Sequence, residues 1–244
     1  MTPIVEVEDL HFQYGDGTKA LDGVTFQLNA GETVAVLGAN GSGKTTFVLH
    51  LNGLLRGRGK IRICGMPLAK DTLSAIRSKI GLVFQDSDEQ LFMPTVLEDV
   101  AFGPLNLGVP AEQAVEKAKL TLRQVGMEHA CDKAPYHLSA GEKRRVALAG
   151  VLAMNPEILV LDEPTIFLDP PGQLNLLQLL QTLPQAKMIV THDVAFVAAL
   201  AARAIFFDKG KLVGDGPIEE IVRKFDWGYP FASDAFRYSA QRRF

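Results

Sequence analysis

The chain has 244 residues, 47% of them hydrophobic, with a formal net charge of −3. It is long and apolar enough to bury one large core, and the slight acidic balance gives no electrostatic reason to bind nucleic acid, whose partners carry a basic surplus. Two cysteines, Cys64 and Cys131, have no metal-ligand or redox spacing; they suit a reducing compartment and read as small buried hydrophobes.

The first residues, MTPIVEVEDL, have neither a basic start nor a long apolar core, so no signal peptide is expected. Ile4 to Leu10 and Val24 to Leu28 alternate as half-buried strands about the turn Gly15-Asp16-Gly17, which predicts an antiparallel layer. Tyr14, just before that turn, is either a core aromatic, the simpler reading, or a stacking surface for a base. Next comes the apolar run Thr33-Val34-Ala35-Val36-Leu37, then GANGSGKTT, then a helical period through Phe47, Val48, Leu51 and Leu54. Strand, glycine-rich turn and helix in that order fit the phosphate-loop form G-x-x-x-x-G-K-[ST]. Gly38, Ala39, Asn40, Gly41, Ser42 and Gly43 would turn backbone N–H groups onto phosphate oxygens at the positive end of the helix. Lys44 would reach the β- and γ-phosphates, Thr45 would ligate Mg²⁺, and Thr46 closes the motif.

Lys60 to Cys64 reads as another strand, and Ile80 to Phe84 as a short buried one that ends at Gln85. Gln85 has an amide oxygen able to ligate a metal and a flexible stem that would let the next loop move. Ala111 to Val125 is helical, with Ala114, Ala118 and Leu122 on its apolar face. Ser139 and Glu142 form a capping box at the head of a helix from Lys143 to Met154, and such a terminus is also an anion site. The run Lys143-Arg144-Arg145 on that helix reads as a solvated face. Ile158 to Leu161 and Met188 to Thr191 are runs suited to a parallel sheet. Asp162 and Glu163 follow the first, where such a fold places its active site; Asp162 suits Mg²⁺ and Glu163 suits general-base work on water. His192 follows the second and suits a sensor of the γ-phosphate. No apolar run approaches the ~20 residues of a membrane-spanning helix. The longest, Val194 to Ala202, stops at Arg203.

GANGSGKTT, VFQDSDEQLF with its Gln85, LSAGE, ILVLDEPT, Leu168-Asp169 and VTHD stand in the order found in ABC-type ATPases, which the chain resembles from about Val5 to about Gly216. Within that family it looks like the ATPase subunits of energy-coupling-factor importers, especially the cobalt and nickel branch. The runs Phe84 to Phe92, Pro94 to Gly108 and Glu142 to Gly150 carry that likeness. The resemblance implies an α/β P-loop fold: a mostly parallel core, an antiparallel layer ahead of it, and a helical subdomain over about 86–154. The whole chain would be one ATPase domain with a tail at 217–244. It also implies ATP and Mg²⁺ as ligands, with the metal on Thr45, Gln85 and Asp162, catalysis through Glu163, His192 and Gln85, and adenine stacking on Tyr14.

The same resemblance implies a dimer of two ATPase subunits, identical or related. Ser139, Ala140, Gly141 and Glu142 of one subunit would complete the ATP site of the other, and Leu168 and Asp169 would lie in the loop between them. A transmembrane coupling subunit and a substrate-binding membrane subunit would be the further partners, with this chain on the cytoplasmic face of the membrane. Asp86, Asp88 and Glu89 would face arginines of the coupling subunit. Vitamin import by the same machinery, or a soluble ATPase of iron–sulfur cluster assembly, are the alternatives. The sequence departs from the family pattern twice: Ala140 replaces the first of two glycines and is expected to be helical, and Ile166-Phe167 replaces small residues.

Overall fold

The structure, a computed structural model, describes residues 3–228, which resolve into two compact units, one of residues 3–77 and 184–228 and the other of residues 78–183. Of the tail from Trp227 to Phe244, only Trp227 and Gly228 lie among the described residues.

The first unit begins with β1 (Pro3–Gln13) and β2 (Lys19–Asn29), an antiparallel pair as expected from their alternation. β1 runs three residues past Leu10 because Asp9, at φ 50, forms an irregularity in the ladder between Val7 and Leu10 and the pairing then resumes. β3 (Thr33–Gly38) leads into α1 (Lys44–Leu51), and β4 (Arg58–Ile63) adds to β1 antiparallel, followed by the short β5 (Met66–Pro67). α2 (Leu73–Lys79) carries the chain past the unit boundary.

In the second unit β6 (Ile80–Val83) is followed by a 3-10 turn (Ser87–Glu89), α3 (Val96–Asn106), α4 (Ala111–Gln124) and α5 (Ala140–Ala153). The three helices pack on one another, and α4 buries Ala114, Ala118 and Leu122 as its period requires. β7 (Ile158–Asp162) pairs parallel with β6, Ile80 opposite Ile158 and Val83 opposite Leu161, and α6 (Pro170–Thr182) completes the unit.

The chain then returns to the first unit through β8 (Ala186–Val190), α7 (Val194–Ala198), β9 (Arg203–Asp208), β10 (Lys211–Pro217) and α8 (Ile218–Lys224). β3 lies between β8 and β9, parallel to both, and β10 is antiparallel to β9. A strand flanked on both sides is buried along its length, which is why Val34 to Leu37 is a continuous apolar run rather than an alternating one. Phe47 of α1 packs on Phe26 and Phe207, fixing the helix that follows the phosphate loop over the sheets. Arg203 locks β9 to its surroundings through a two-point fork on Asp215, 2.6 and 2.7 Å, and a bond of 2.9 Å to Glu32.

The two cysteines are half-buried rather than core residues. Cys64 occupies the turn between β4 and β5 at φ 49, and Cys131 follows a short 3-10 turn, so neither lies within a strand or helix that faces a core.

Gly81 in β6 is pressed by α5, since a Cβ there would meet Val151 Cγ1 at 2.3 Å and Pro156 Cγ at 3.1 Å. Gly81→Ala is therefore expected to destabilise the protein by about 1–3 kcal/mol through overpacking. A fall in the urea unfolding midpoint at constant slope is the expected reading.

Candidate nucleotide site and hydrolytic residues

The phosphate loop folds between β3 and α1 because its glycines take conformations closed to other residues. Gly38 has φ 137, and a Cβ there would stand 2.3 Å from the Phe207 carbonyl; Gly43, at φ 108, would bring one to 2.5 Å from the Ala20 carbonyl. Lys44 is 6% exposed, and its ammonium donates to the carbonyls of Gly38 at 2.7 Å and Ala39 at 2.9 Å. A phosphate in the loop would compete for that ammonium with an advantage, since hydrogen bonds between ions are about twice as strong as those to a neutral carbonyl. Ser42 Oγ is buried inside the loop without a hydrogen-bond partner, which suits a loop built to take a further polar ligand. The loop residues therefore fit a nucleotide.

Tyr14 is 40% exposed, which corrects its simpler reading as a core residue. Its hydroxyl lies 2.9 Å from Thr46 Oγ1 and its ring meets Phe12 edge-on, so it stands at the rim of the phosphate loop with a ring face available. Thr45, next to it in the motif, is exposed. His192 follows β8, and its Nε2 lies 2.9 Å from Asn40 Oδ1, which ties the proposed sensor to the phosphate loop within the same unit.

The second unit holds the other group. Asp162 ends β7 and is buried with Glu163, which has φ 47. A left-handed glutamate costs on the order of 1 kcal/mol, and its surroundings must hold it there. They do so through Arg144. This side chain is 5% exposed, and its guanidinium donates from Nη1 to the carbonyls of Phe84 and Gln85, both at 2.7 Å. Nη2 donates to those of Asp162, at 2.8 Å, and Glu163, and Nε to that of Pro164 at 3.5 Å. Five N–H donors thus meet five carbonyls that cap the ends of β6 and β7. Burial pulls the guanidinium below its ordinary value, opposed by the charges of Asp162, Glu163 and Asp86, and an arginine remains charged throughout.

Arg144 thereby corrects the reading of Lys143-Arg144-Arg145 as a solvated face. The signal was present in the spacing: Arg144 shares the stripe of Ala147, Leu148 and Val151, so the helix that buries these apolar residues buries it too. Lys143 bonds Asp88 at 2.6 Å. Gln85 itself is exposed, and only its carbonyl is held by Arg144.

Ser139 caps α5 as expected. It accepts from the Glu142 N–H at 3.3 Å, and its own N–H and hydroxyl both donate to Glu142 Oε2 at 2.8 Å. Ala140 is the first helical residue, so its methyl meets no left-handed constraint. Gly141 faces the Phe167 carbonyl. Asp169 caps α6 by accepting from Gly172 N–H, Leu168 is half-buried, and Phe167 stands 73% exposed at φ 65. Beyond Gln85, Asp86 caps the 3-10 turn by accepting from Asp88 N–H, and Glu89 is exposed.

The family model described as ABC transporter matches residues 21–166. This chain belongs to the ABC transporter ATPase family. It is an ATP-hydrolysing enzyme with the P-loop cassette fold. Relatives of this ABC ATPase include the energy-coupling factor transporter ATP-binding protein EcfA of Methanocaldococcus jannaschii, 48% identical over 224 residues that cover 89% of this chain and 80% of that one. The EcfA of Methanothermobacter thermautotrophicus is 45% identical over 95% of this chain and 78% of its own length. Among solved structures, cbiO1 from Clostridium perfringens, part of the ABC transporter complex cbiONQ, is 35% identical with a TM-score of 0.79, covering 97% of this chain and all (100%) of that one. The dimeric cassette MJ0796 with ADP and phosphate is 30% identical with a TM-score of 0.79, over 88% of this chain and 98% of that one.

Replacing Arg144 by alanine strands buried carbonyls, each costing about 1–3 kcal/mol, so a loss of stability of several kcal/mol is expected on urea unfolding. Arg144→Lys should recover little of it, because a single ammonium cannot reproduce the fork. Ser139→Ala should cost about 1 kcal/mol through the lost cap. The Ser139 N–H, followed by its hydroxyl, holds the Glu142 carboxyl below its ordinary value of 4.5, so the stability that the Glu142 carboxylate contributes is full above pH 4.5 and is lost as pH falls further. The N–H remains in Ser139→Ala, so the acid-sensitive part is read in Glu142→Gln, whose unfolding curve should converge on that of the wild type in acid.

Proposed function

We propose that this ABC ATPase is the ATP-hydrolysing subunit of an energy-coupling-factor importer that takes up a transition metal ion, cobalt or nickel, through membrane partners. The similarity to EcfA at 48% identity over 89% of the chain carries this reading. The likeness to cbiO1, part of the ABC transporter complex cbiONQ, supports a subunit of a multi-component transporter, and the resemblance over Phe84 to Gly108 to the cobalt and nickel branch is the ground for a metal ion as cargo. Among the described residues no helix is long and apolar enough to cross a membrane, so translocation falls to partner subunits.

In this reading ATP lies on Gly38, Ala39, Asn40, Gly41, Ser42, Gly43, Lys44, Thr45 and Thr46, with its adenine on the exposed face of Tyr14. Thr45, Gln85 and Asp162 would hold Mg²⁺, which neutralises phosphate charge. Glu163 accepts the proton of the attacking water as the water oxygen bonds the γ-phosphorus, and the β–γ bridging oxygen departs with ADP. His192 exchanges Asn40 for the γ-phosphate, and Lys44 exchanges its two carbonyls for phosphate oxygens. A second ATPase subunit, identical or related, presents Ser139, Ala140, Gly141 and Glu142 to the same nucleotide, with Leu168 and Asp169 in the intersubunit loop. ATP binding closes the pair and hydrolysis reopens it. The chain thus works at the cytoplasmic face of the membrane.

The acidic turn after Gln85 is the proposed docking point for the coupling subunit. Asp86 is engaged as a cap and Asp88 with Lys143, which leaves Glu89 as the residue best placed to meet a partner's arginine.

Glu163→Gln should lower ATP turnover at least about 100-fold while leaving ATP binding intact. With ATP and magnesium the same variant should sediment as a dimer; persistence of monomers in the presence of the membrane partners would remove the two-subunit mechanism. Glu89→Lys should abolish co-purification with the membrane subunits without changing thermal stability. Proteoliposomes bearing the complex should take up cobalt or nickel with ATP, whereas vitamin uptake alone would reassign the cargo.

A further inference from the structure

Trp227 is the only tryptophan of the chain, and it stands beside the histidine assigned above as γ-phosphate sensor. Its ring centroid is 5.8 Å from that of His192, with the planes tilted by 37°. It reaches this place from the turn after α8, where its N–H donates to the Val222 carbonyl at 2.9 Å. The same ring meets Phe206 edge-on at 5.1 Å, and Phe206 in turn stacks flat on Phe225 at 4.1 Å and 3°. Phe206 lies on β9 opposite Leu37, the last residue of β3 before Gly38. A continuous set of rings therefore runs from α8 through β9 to His192, and His192 closes it onto the phosphate loop through Asn40.

This arrangement has a physical consequence. His192 is exposed and sits on a connecting segment, so its ring orientation is not fixed by a surrounding core. The ring lies beside Trp227, which is half-buried and itself anchored on Phe206. Aromatic contacts of this kind orient a ring more than they stabilise the fold, because edge and face preferences select among rotamers.

We propose that Trp227 is a positioning residue for His192, holding the imidazole aimed at the phosphate loop so that it can pass from Asn40 to the γ-phosphate. Trp227 is thereby coupled to the occupancy of the nucleotide site. The proposal rests on the assignment of His192 as sensor, and the experiment separates the two.

ATP turnover is measured on the full chain for Trp227→Ala, Trp227→Phe, His192→Ala and the double variant, with ATP affinity and melting temperature alongside. Trp227→Ala should lower kcat about two- to tenfold, the scale of one aromatic contact, with KM changed less than twofold. Trp227→Phe should restore most of the rate, and the double variant should be no slower than His192→Ala. Intrinsic fluorescence of the wild type reports Trp227 alone, and it should shift on addition of a non-hydrolysable ATP analogue but not in His192→Ala. Full turnover in His192→Ala would overturn the sensor role. Loss of turnover there with unchanged kcat in both Trp227 variants would overturn only the positioning role. A slow Trp227→Ala that Phe does not rescue, or a double variant slower than His192→Ala, would also overturn it.

Discussion

The five-carbonyl grip of Arg144 is the constraint on which the second unit depends. β6 and β7 are parallel strands of four and five residues, and parallel pairs end with their last carbonyls unpaired. Arg144 supplies one planar fork of donors to both strand ends at once, which binds Gln85, Asp162 and Glu163 to a common reference. It also holds the Glu163 carbonyl, which helps to fix the left-handed backbone of that residue at φ 47. A charged hydrogen bond contributes about 1.5–3 kcal/mol, so several acting on one side chain offset much of the cost of burying it, although burial still pulls the guanidinium below its ordinary value.

At the phosphate loop of the first unit, precision comes from steric exclusion. Gly38 and Gly43 let the loop pass against the backbones of Phe207 and Ala20, and any side chain there would push the turn away from β9 and β2. Lys44 is held against its own loop's carbonyls, which keeps the ammonium inside the phosphate loop.

Much of this was open to reading along the chain. The phosphate loop announced itself because its chemistry is local: consecutive residues make the turn, the helix end and the cation. The capping box of Ser139 and Glu142 and the helical state of Ala140 follow from four consecutive positions in the same way. Tyr14 and the cysteines depart from the interior placement that composition suggests, because their turns leave them half-covered or exposed. In the run Lys143-Arg144-Arg145 charge suggests solvent throughout, while helical spacing places the middle member inward.

The sequence alone therefore determined the family of motifs, the strand and helix types and the chemical identity of each site residue, all of which depend on neighbours within a turn or two. Only the tertiary structure decided which side chain holds those residues in place. The carbonyls that Arg144 binds lie about sixty residues before it and about twenty after. The ring beside His192 is 35 residues further on by the numbering of the pair. Contacts across such separations are set by how strands and helices pack, and hydrophobic period and local propensity do not encode which distant partner a buried polar group will find.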